Sequence, residues 1–383
     1  MDFALSEEQG FIRDTIRKFI AKECDRAKIQ KMDEAGDFPQ DLFQTVAQMG
    51  FCALTIPESY GGGGPDALGA SMVAQELAMI YPVLAGVFTA VAFRGGTTIS
   101  QLGSDSQKEK FLPDLVQGST IFTYGIEEPD FSYGVGPVKT CAKQKGDEFV
   151  IQGTKSFVSL ADHADYIITL ASTDPEGDLK STATWFVIDT SDPKVCITPQ
   201  HAVGFNGASV CEVVFDEVRV SAESVLGGPD KVNKGFDQMG QIMAARHLEV
   251  ARIAAGLAQG AYDYAVKYAK EREQFGRPIV RFGTIRSMFI EMAIRIQTAH
   301  DLVNRACWCA DKCSTYLKEA TMARIWACQA AQSASMDCVQ VLGGYGYANE
   351  YDAQRYLRDS LVLFDGQTTK EVLEDSLVEL LKL

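Results

Sequence analysis

Arg272-Glu273-Gln274-Phe275-Gly276-Arg277-Pro278-Ile279, then Gln340-Val341-Leu342-Gly343-Gly344-Tyr345-Gly346-Tyr347, then Arg358-Asp359: these three phrases, in this order, decide how the chain is read. The first places Phe-Gly and a proline between two long helical patterns, a turn signal that neither pattern tolerates. The second closes an alanine-rich helical stretch with a pair of glycines, the residue type that accepts the backbone needed beyond a helix end. Outward from these phrases, helical periodicity covers Ala244 to Glu271, Thr284 to Ala310 and Tyr316 to Leu342, and the alanine-rich faces predict closely packed bundle helices.

The N-terminal third is helical too. Ser6-Glu7-Glu8-Gln9 spells a capping box, and Phe11, Ile12, Ile16, Phe19 and Ile20 follow at helical spacing. Further helices are predicted over Gln40 to Met49, Ala67 to Ile80 and Ser106 to Gln117, broken by a loop of Ile56-Pro57-Glu58, Tyr60 and Gly61 to Gly64. Near Ile121 the texture changes to short β-type runs: Phe149-Val150-Ile151, Tyr166 to Leu170, Trp185 to Ile188, Val213 to Phe215 and Val218 to Val220. Polar turns separate them, which predicts an antiparallel β domain. The expectation is therefore an α+β chain: an N-terminal helical domain at 1–120, a central antiparallel β domain at 121–233 and a C-terminal four-helix-bundle domain at 234–383.

Composition narrows the function. A net charge of -15 and a pI near 4.8 argue against the basic face that nucleic acid or an anionic membrane surface requires, while leaving room for local basic pockets. No apolar run in the sequence approaches the ~18 residues of a membrane span, and the Met1-Asp2-Phe3 start has no signal-peptide pattern, so the expected location is cytoplasmic. The ten cysteines are scattered singly, several in apolar helical stretches such as those of Cys328 and Cys338, and read as buried reduced thiols. Cys307, Cys309 and Cys313 are close in sequence, but positions two apart on a helix point to different sides, so no metal site is expected.

The three phrases, with Ile56-Pro57-Glu58, Tyr60-Gly61-Gly62 and the helix, sheet, helix order, resemble the FAD-dependent acyl-CoA dehydrogenase family over nearly the whole chain. The resemblance implies a flavoprotein acting on an acyl-CoA thioester, passing electrons to an electron-transferring flavoprotein, and assembled as a homotetramer or as a heteromer with a homologous subunit. It implies that Arg272 reaches the FAD pyrophosphate of a neighbouring subunit and that Gln340, Gly343 and Gly344 pack against the nucleotide, with Phe275 in the same phrase. On the β domain it implies flavin contacts from Tyr124, Ile126, Glu127, Phe157 and Ser159. Glu127 stands where the family has a threonine, and a carboxylate beside the ring disfavours the reduced anion unless it is protonated or paired. Tyr133 replaces a serine, and Gly283 replaces a glutamine that helps hold FAD.

Dehydrogenation also needs a base for the C2 proton. Counting from Arg358-Asp359 without a gap puts Gln367 at the family's glutamate, whereas equating Phe364-Asp365-Gly366 with its Tyr-Glu-Gly phrase makes Asp365 the base; both stay open. The family's alternative base position falls near Arg246, which is no base, and the neighbouring His247 is a candidate for a CoA phosphate. The resemblance implies that Arg94 falls where the family lines the far end of the acyl pocket, and it reads either as one half of a surface or intrahelical salt bridge or as the receptor for a second substrate carboxylate. Three functions remain: an acyl-CoA dehydrogenase, an enoyl-CoA reductase or unusual-substrate dehydrogenase, and a catalytically quiet subunit of a heteromer.

Overall fold

The computed structural model describes residues 5–129, 138–174, 176–312, 315–364 and 368–383. Tyr133, Asp365 and Gln367 lie outside the described residues.

The helical layer runs α1 (Glu7–Glu23), α2 (Arg26–Ala35), α3 (Gln40–Gln48), α4 (Ala67–Ile80), α5 (Pro82–Thr89), α6 (Thr98–Leu102) and α7 (Asp105–Gln117). The capping box at Ser6 forms as its spelling predicts: Ser6 Oγ accepts from the Gln9 backbone N–H, and Gln9 Oε1 accepts from that of Ser6. Between α5 and α6 the helix does not stop but widens into a π-helical segment, Ala90–Thr97. The continuous stretch Pro82–Leu102 is thus 21 residues with a mean hydropathy of 1.3, long and apolar enough to cross a bilayer. That corrects the expectation from sequence, where Thr89, Arg94 and two glycines disguise the run. The stretch is a buried core helix: Val83 to Phe93 are sealed in the hydrophobic core, and Gly95 packs against Leu115 and Phe122.

The sheet comprises β1 (Phe122–Gly125), β2 (Cys141–Lys145), β3 (Glu148–Ser159), β4 (Tyr166–Ser172), β5 (Ala183–Asp189), β6 (Val195–Gln200) and β7 (Val210–Ser221), with a single helical turn, α8 (Leu179–Thr182), before β5. Spatial order is β1-β4-β2-β3-β7-β6, with β5 on β4. Most pairs are antiparallel, but β4 pairs with both β1 and β2 in parallel. Hydrophobic patterning carries no strand direction, and the fully buried β1 lacks even the alternation that marks a one-sided strand. The runs at Val213 to Phe215 and Val218 to Val220 are one strand, not two. Asp216-Glu217 between them is an irregularity opposite Gln152, with Glu217 at φ 56°, rather than a turn.

The C-terminal layer holds α9 (Gly235–Glu271), the two-residue strands β8 (Glu273–Gln274) and β9 (Arg277–Pro278), then α10 (Gly283–Lys312), α11 (Leu317–Leu342), α12 (Ala353–Leu361) and α13 (Lys370–Leu381). Helix α9, at 37 residues, packs against α4, α10 and α11 and joins the N- and C-terminal layers. Its approach to α4 depends on glycine: a Cβ at Gly260 would lie 2.1 Å from the Met79 carbonyl oxygen. Gly260→Ala is therefore expected to lower stability by about 1–3 kcal/mol despite the better helix propensity of alanine, read as a lower urea midpoint at unchanged m-value.

The described cysteines are all free, and Cys307, Cys309, Cys328 and Cys338 are buried. Among the described residues no cluster of ligands could hold a metal.

Candidate active site

A cavity of about 280 Å³ opens where the three layers meet. Its wall includes Gly86 and Arg94 from the helical layer, Phe157 and Ser159 from the sheet, and Glu249 and Phe364 from the C-terminal layer.

Local backbone explains why the sheet residues face it. The β3–β7 register slips between Lys155 and Val158, and Phe157 sits there at φ 55° with 40% of its surface exposed. A left-handed backbone costs a non-glycine residue roughly 1–2 kcal/mol, and a large aromatic held that way and left exposed marks a functional surface. Beneath it, Lys155 is fully buried and paired with Glu128 at 2.7 Å. Glu128 also accepts from the backbone N–H groups of Lys139 (2.7 Å) and Thr140 (3.0 Å), while Lys155 donates to the Ile126 carbonyl. Burial alone would push the Glu128 carboxyl up, but Lys155 and the donors from Thr140 and Lys139 outweigh it and hold it below the usual carboxylate range.

Two further buried ion pairs reach the site from one turn of α9. Arg94 Nε donates to Glu249 Oε1 at 2.9 Å and Oε2 at 3.2 Å, and Nη2 lies 2.9 Å from Oε1. Arg94 Nη1 also reaches Thr123 Oγ1 (3.3 Å) and the Ser159 carbonyl (3.5 Å), so the guanidinium is fixed on three sides. The π-helical segment supplies its aim, as such widened turns often do at functional sites. One turn earlier, Arg246 meets Glu127 at 2.6 Å, and Thr368 Oγ1 donates to the same carboxylate oxygen at 3.0 Å. Glu127, anomalous in sequence, is thus a paired carboxylate.

The Arg358-Asp359 phrase has a mechanical role. Arg358 Nη2 lies 2.6 Å from Asp33 of α2, and the Phe205 N–H donates to Asp359 Oδ1 at 2.7 Å. Together they tie α12 to the helical layer and to the β6–β7 loop, whose Gly204 and Phe205 line the cavity. Burial pushes the Asp359 carboxyl up to about 6.

A second concavity lies elsewhere, lined by Tyr268, Arg272, Gln274, Gly343, Gly344 and Tyr345. It shares no lining residue with the first. Beside it, the β8–β9 hairpin turns through Phe275 and Gly276 at φ 52° and 76°, presenting Phe275 at 93% exposure.

The comparisons with known proteins resolve what this architecture is. Family descriptions match along the chain: "Acyl-CoA dehydrogenase, N-terminal domain" over residues 6–119, the middle domain over 123–218 and the C-terminal domain over 233–380. The chain belongs to the acyl-CoA dehydrogenase family. It is 32% identical to "Probable acyl-CoA dehydrogenase YngJ" of Bacillus subtilis, with 97% of each chain covered. It is 31% identical to "Caffeyl-CoA reductase-Etf complex subunit CarC" of Acetobacterium woodii, with 96% of each covered. Among solved structures, butyryl-CoA dehydrogenase from Megasphaera elsdenii superposes with a TM-score of 0.94 at 28% identity, covering 100% of both chains. This is a family of FAD-dependent oxidoreductases acting on CH–CH groups.

The residues present fit FAD. Phe157 and Ser159 put an aromatic face and a hydroxyl in the first cavity, and the adjacent Ser156 Oγ is buried with no hydrogen-bond partner among the described residues. Arg272 beside the exposed Gly343-Gly344 turn suits a pyrophosphate, and the separation of the two concavities suits a nucleotide shared between subunits.

Other site residues expected from sequence are placed differently. Ile126 and Tyr124 are buried and do not line the cavity; the Tyr124 hydroxyl bonds Thr98 Oγ1 at 2.7 Å, and burial pushes its phenol well above the usual range. Gln340 is exposed at the end of α11. His247 is not at a phosphate site but in the bundle interior, where its Nδ1 meets Thr321 Oγ1 at 3.0 Å; it points to the other side of α9 from Glu249. Sequence reasoning missed Glu249 and the role of Arg246. The available signal was an acid within an apolar helical run, three residues after an arginine.

Proposed function

We propose that this chain oxidises the C2–C3 bond of an acyl-CoA thioester with Glu249 as the base, and that an electron-transferring flavoprotein accepts the electrons. The observation that carries the reading is the Glu249 carboxylate, only 1% exposed yet part of the wall of the cavity that also holds Phe157 and Ser159. Arg94 pairs with it, and an ionised carboxylate is an acceptor only, the state required to take the C2 proton. FAD, when bound, supplies the acceptor for the hydride leaving C3. Ile253, Leu363 and Phe364 provide apolar walls that exclude water from the proton transfer. Asp365 stays the second candidate for the base, because Phe364 beside it lines the cavity; Gln367 has no comparable proton affinity.

The relative from Acetobacterium woodii is named as a subunit of a reductase-Etf complex, which supports the electron-transfer partner and makes enoyl-CoA reduction the second reading. Glu127 no longer favours a quiet subunit, since Arg246 neutralises it. Association between copies is supported by exposed Ile290, Ile294 and Trp308 along one face of α10. A cytoplasmic location is supported by the free thiols and by the burial of Pro82–Leu102.

The test is an absorbance spectrum followed by anaerobic titration. The purified protein is expected to be yellow, and straight-chain acyl-CoA esters are expected to bleach its flavin bands. Dithionite-reduced protein reoxidised by enoyl-CoA, with no bleaching of the oxidised protein by saturated esters, favours the reductase. A colourless protein that turns yellow only when co-produced with a homologue rejects independent catalysis.

A further inference from the structure

We infer that Arg94 and Glu249 form a closed ion pair that makes the cavity select uncharged acyl groups and refuse those ending in a carboxylate. The inference rests on the acyl group occupying this cavity, as proposed above, and assigns the pair a second task, that of setting specificity.

A guanidinium in an otherwise apolar acyl pocket would be an anion receptor, one of the two readings the sequence offers for Arg94. The structure supplies the anion from the protein itself. Both Nε and Nη2 of Arg94 are committed to Glu249, and Nη1 is held by Thr123 Oγ1 and the Ser159 carbonyl. The pair is nearly dry, with side chains 11% and 2% exposed. A substrate carboxylate entering here would have to split it, leaving two carboxylates against one guanidinium, and like charges at that range in a poorly solvated site are strongly disfavoured. Among the described residues the surrounding charges offer no relief. Arg246, one turn back on α9, is already taken by Glu127, and from β1 the Tyr124 phenol bonds Thr98. An uncharged acyl chain leaves the pair intact and meets Val250, Ile253 and Leu363.

Discrimination by an opposing charge is specificity built by repulsion rather than attraction. It has an unusual corollary: removing the negative partner should convert the pocket into the carboxylate receptor that Arg94 resembles.

The experiment uses calorimetry on the oxidised, FAD-loaded enzyme with two non-turnover probes, 2-pentenoyl-CoA and its carboxylated counterpart glutaconyl-CoA. The wild type is expected to bind 2-pentenoyl-CoA at least tenfold more tightly. In Glu249→Gln, glutaconyl-CoA is expected to gain at least tenfold while 2-pentenoyl-CoA changes little. Adding Arg94→Met to that background should abolish the gain. The apolar double variant Arg94→Met/Glu249→Leu guards against misfolding, since it buries no orphaned charge, and it is expected to bind 2-pentenoyl-CoA while gaining nothing for glutaconyl-CoA. Equal or tighter binding of glutaconyl-CoA by the wild type overturns the inference, as does a Glu249→Gln variant that gains nothing. The base assignment fails separately: full turnover by Glu249→Gln would reject Glu249 as the base and leave these binding results standing.

Discussion

Glu249→Gln is expected to lower the rate of flavin reduction by acyl-CoA on the order of 10³-fold while leaving the flavin spectrum intact. A positioned general base contributes roughly 10²- to 10⁴-fold, and an amide has no comparable affinity for the C2 proton. The neutral isostere preserves volume but leaves the Arg94 guanidinium without its counter-ion, so the loss is read on folded, FAD-loaded protein, where it falls on the chemical step. Glu249→Asp, which withdraws the carboxylate by one methylene, should retain an intermediate rate. Stopped-flow bleaching at saturating acyl-CoA separates these outcomes from weakened binding. Wild-type bleaching by Glu249→Gln would move the base to Asp365, and Asp365→Asn should then carry the loss.

The second large effect is on stability. Glu128→Gln is expected to cost about 3–5 kcal/mol, because it leaves the fully buried Lys155 ammonium without its counter-ion in the sheet core. Lys155→Met should cost less, since the Glu128 carboxylate would keep its backbone donors from Lys139 and Thr140. Combining Glu128→Gln with Lys155→Met should recover part of the loss, because neither charge is then buried alone. Urea unfolding of the four proteins closes the cycle, and additive losses would show that the pair is not coupled. The pH dependence has a definite sign. Glu128 is held below its ordinary value in the fold, so its contribution is present above that value of ~4.3 and disappears as pH falls through the lower folded value. Acid unfolding of the wild type should therefore lose this stabilisation, and Glu128→Gln should be less sensitive to acid over the same window.

Most of the scaffold was legible because its signals are local. The Ser6 capping box, the Ala67–Ile80 helix and the glycine stop after Leu342 each depend on neighbours within a turn or two of chain. Strand direction was not legible, since the parallel pairing of β1 with β4 joins residues more than forty positions apart. The membrane-length apolar helix was missed for a related reason: a π-helical segment lets Arg94 and two glycines sit within one unbroken element, which a search for an uninterrupted apolar run divides.

The site divides along the same line. Phe157, Ser159, Arg272 and the glycine pair stand out in the sequence by motif spacing, and in the structure they line two concavities. Glu249 and the pairing of Glu127 could not, because their meaning lies in partners more than a hundred residues away. Glu127 reads as an obstacle in sequence only while Arg246 is out of view.

The single turn of α9 between Arg246 and Glu249 also guards the alignment of the long helix. The two side chains are about 4.5 Å apart along the axis, and each meets its opposite on a different wall. Slide the helix by one turn in one direction and Arg246 confronts Arg94; slide it in the other and Glu249 confronts Glu127. Either misthreading sets like against like in a dry interior, so the charges that furnish the site also key the rod to the one depth at which it can dock.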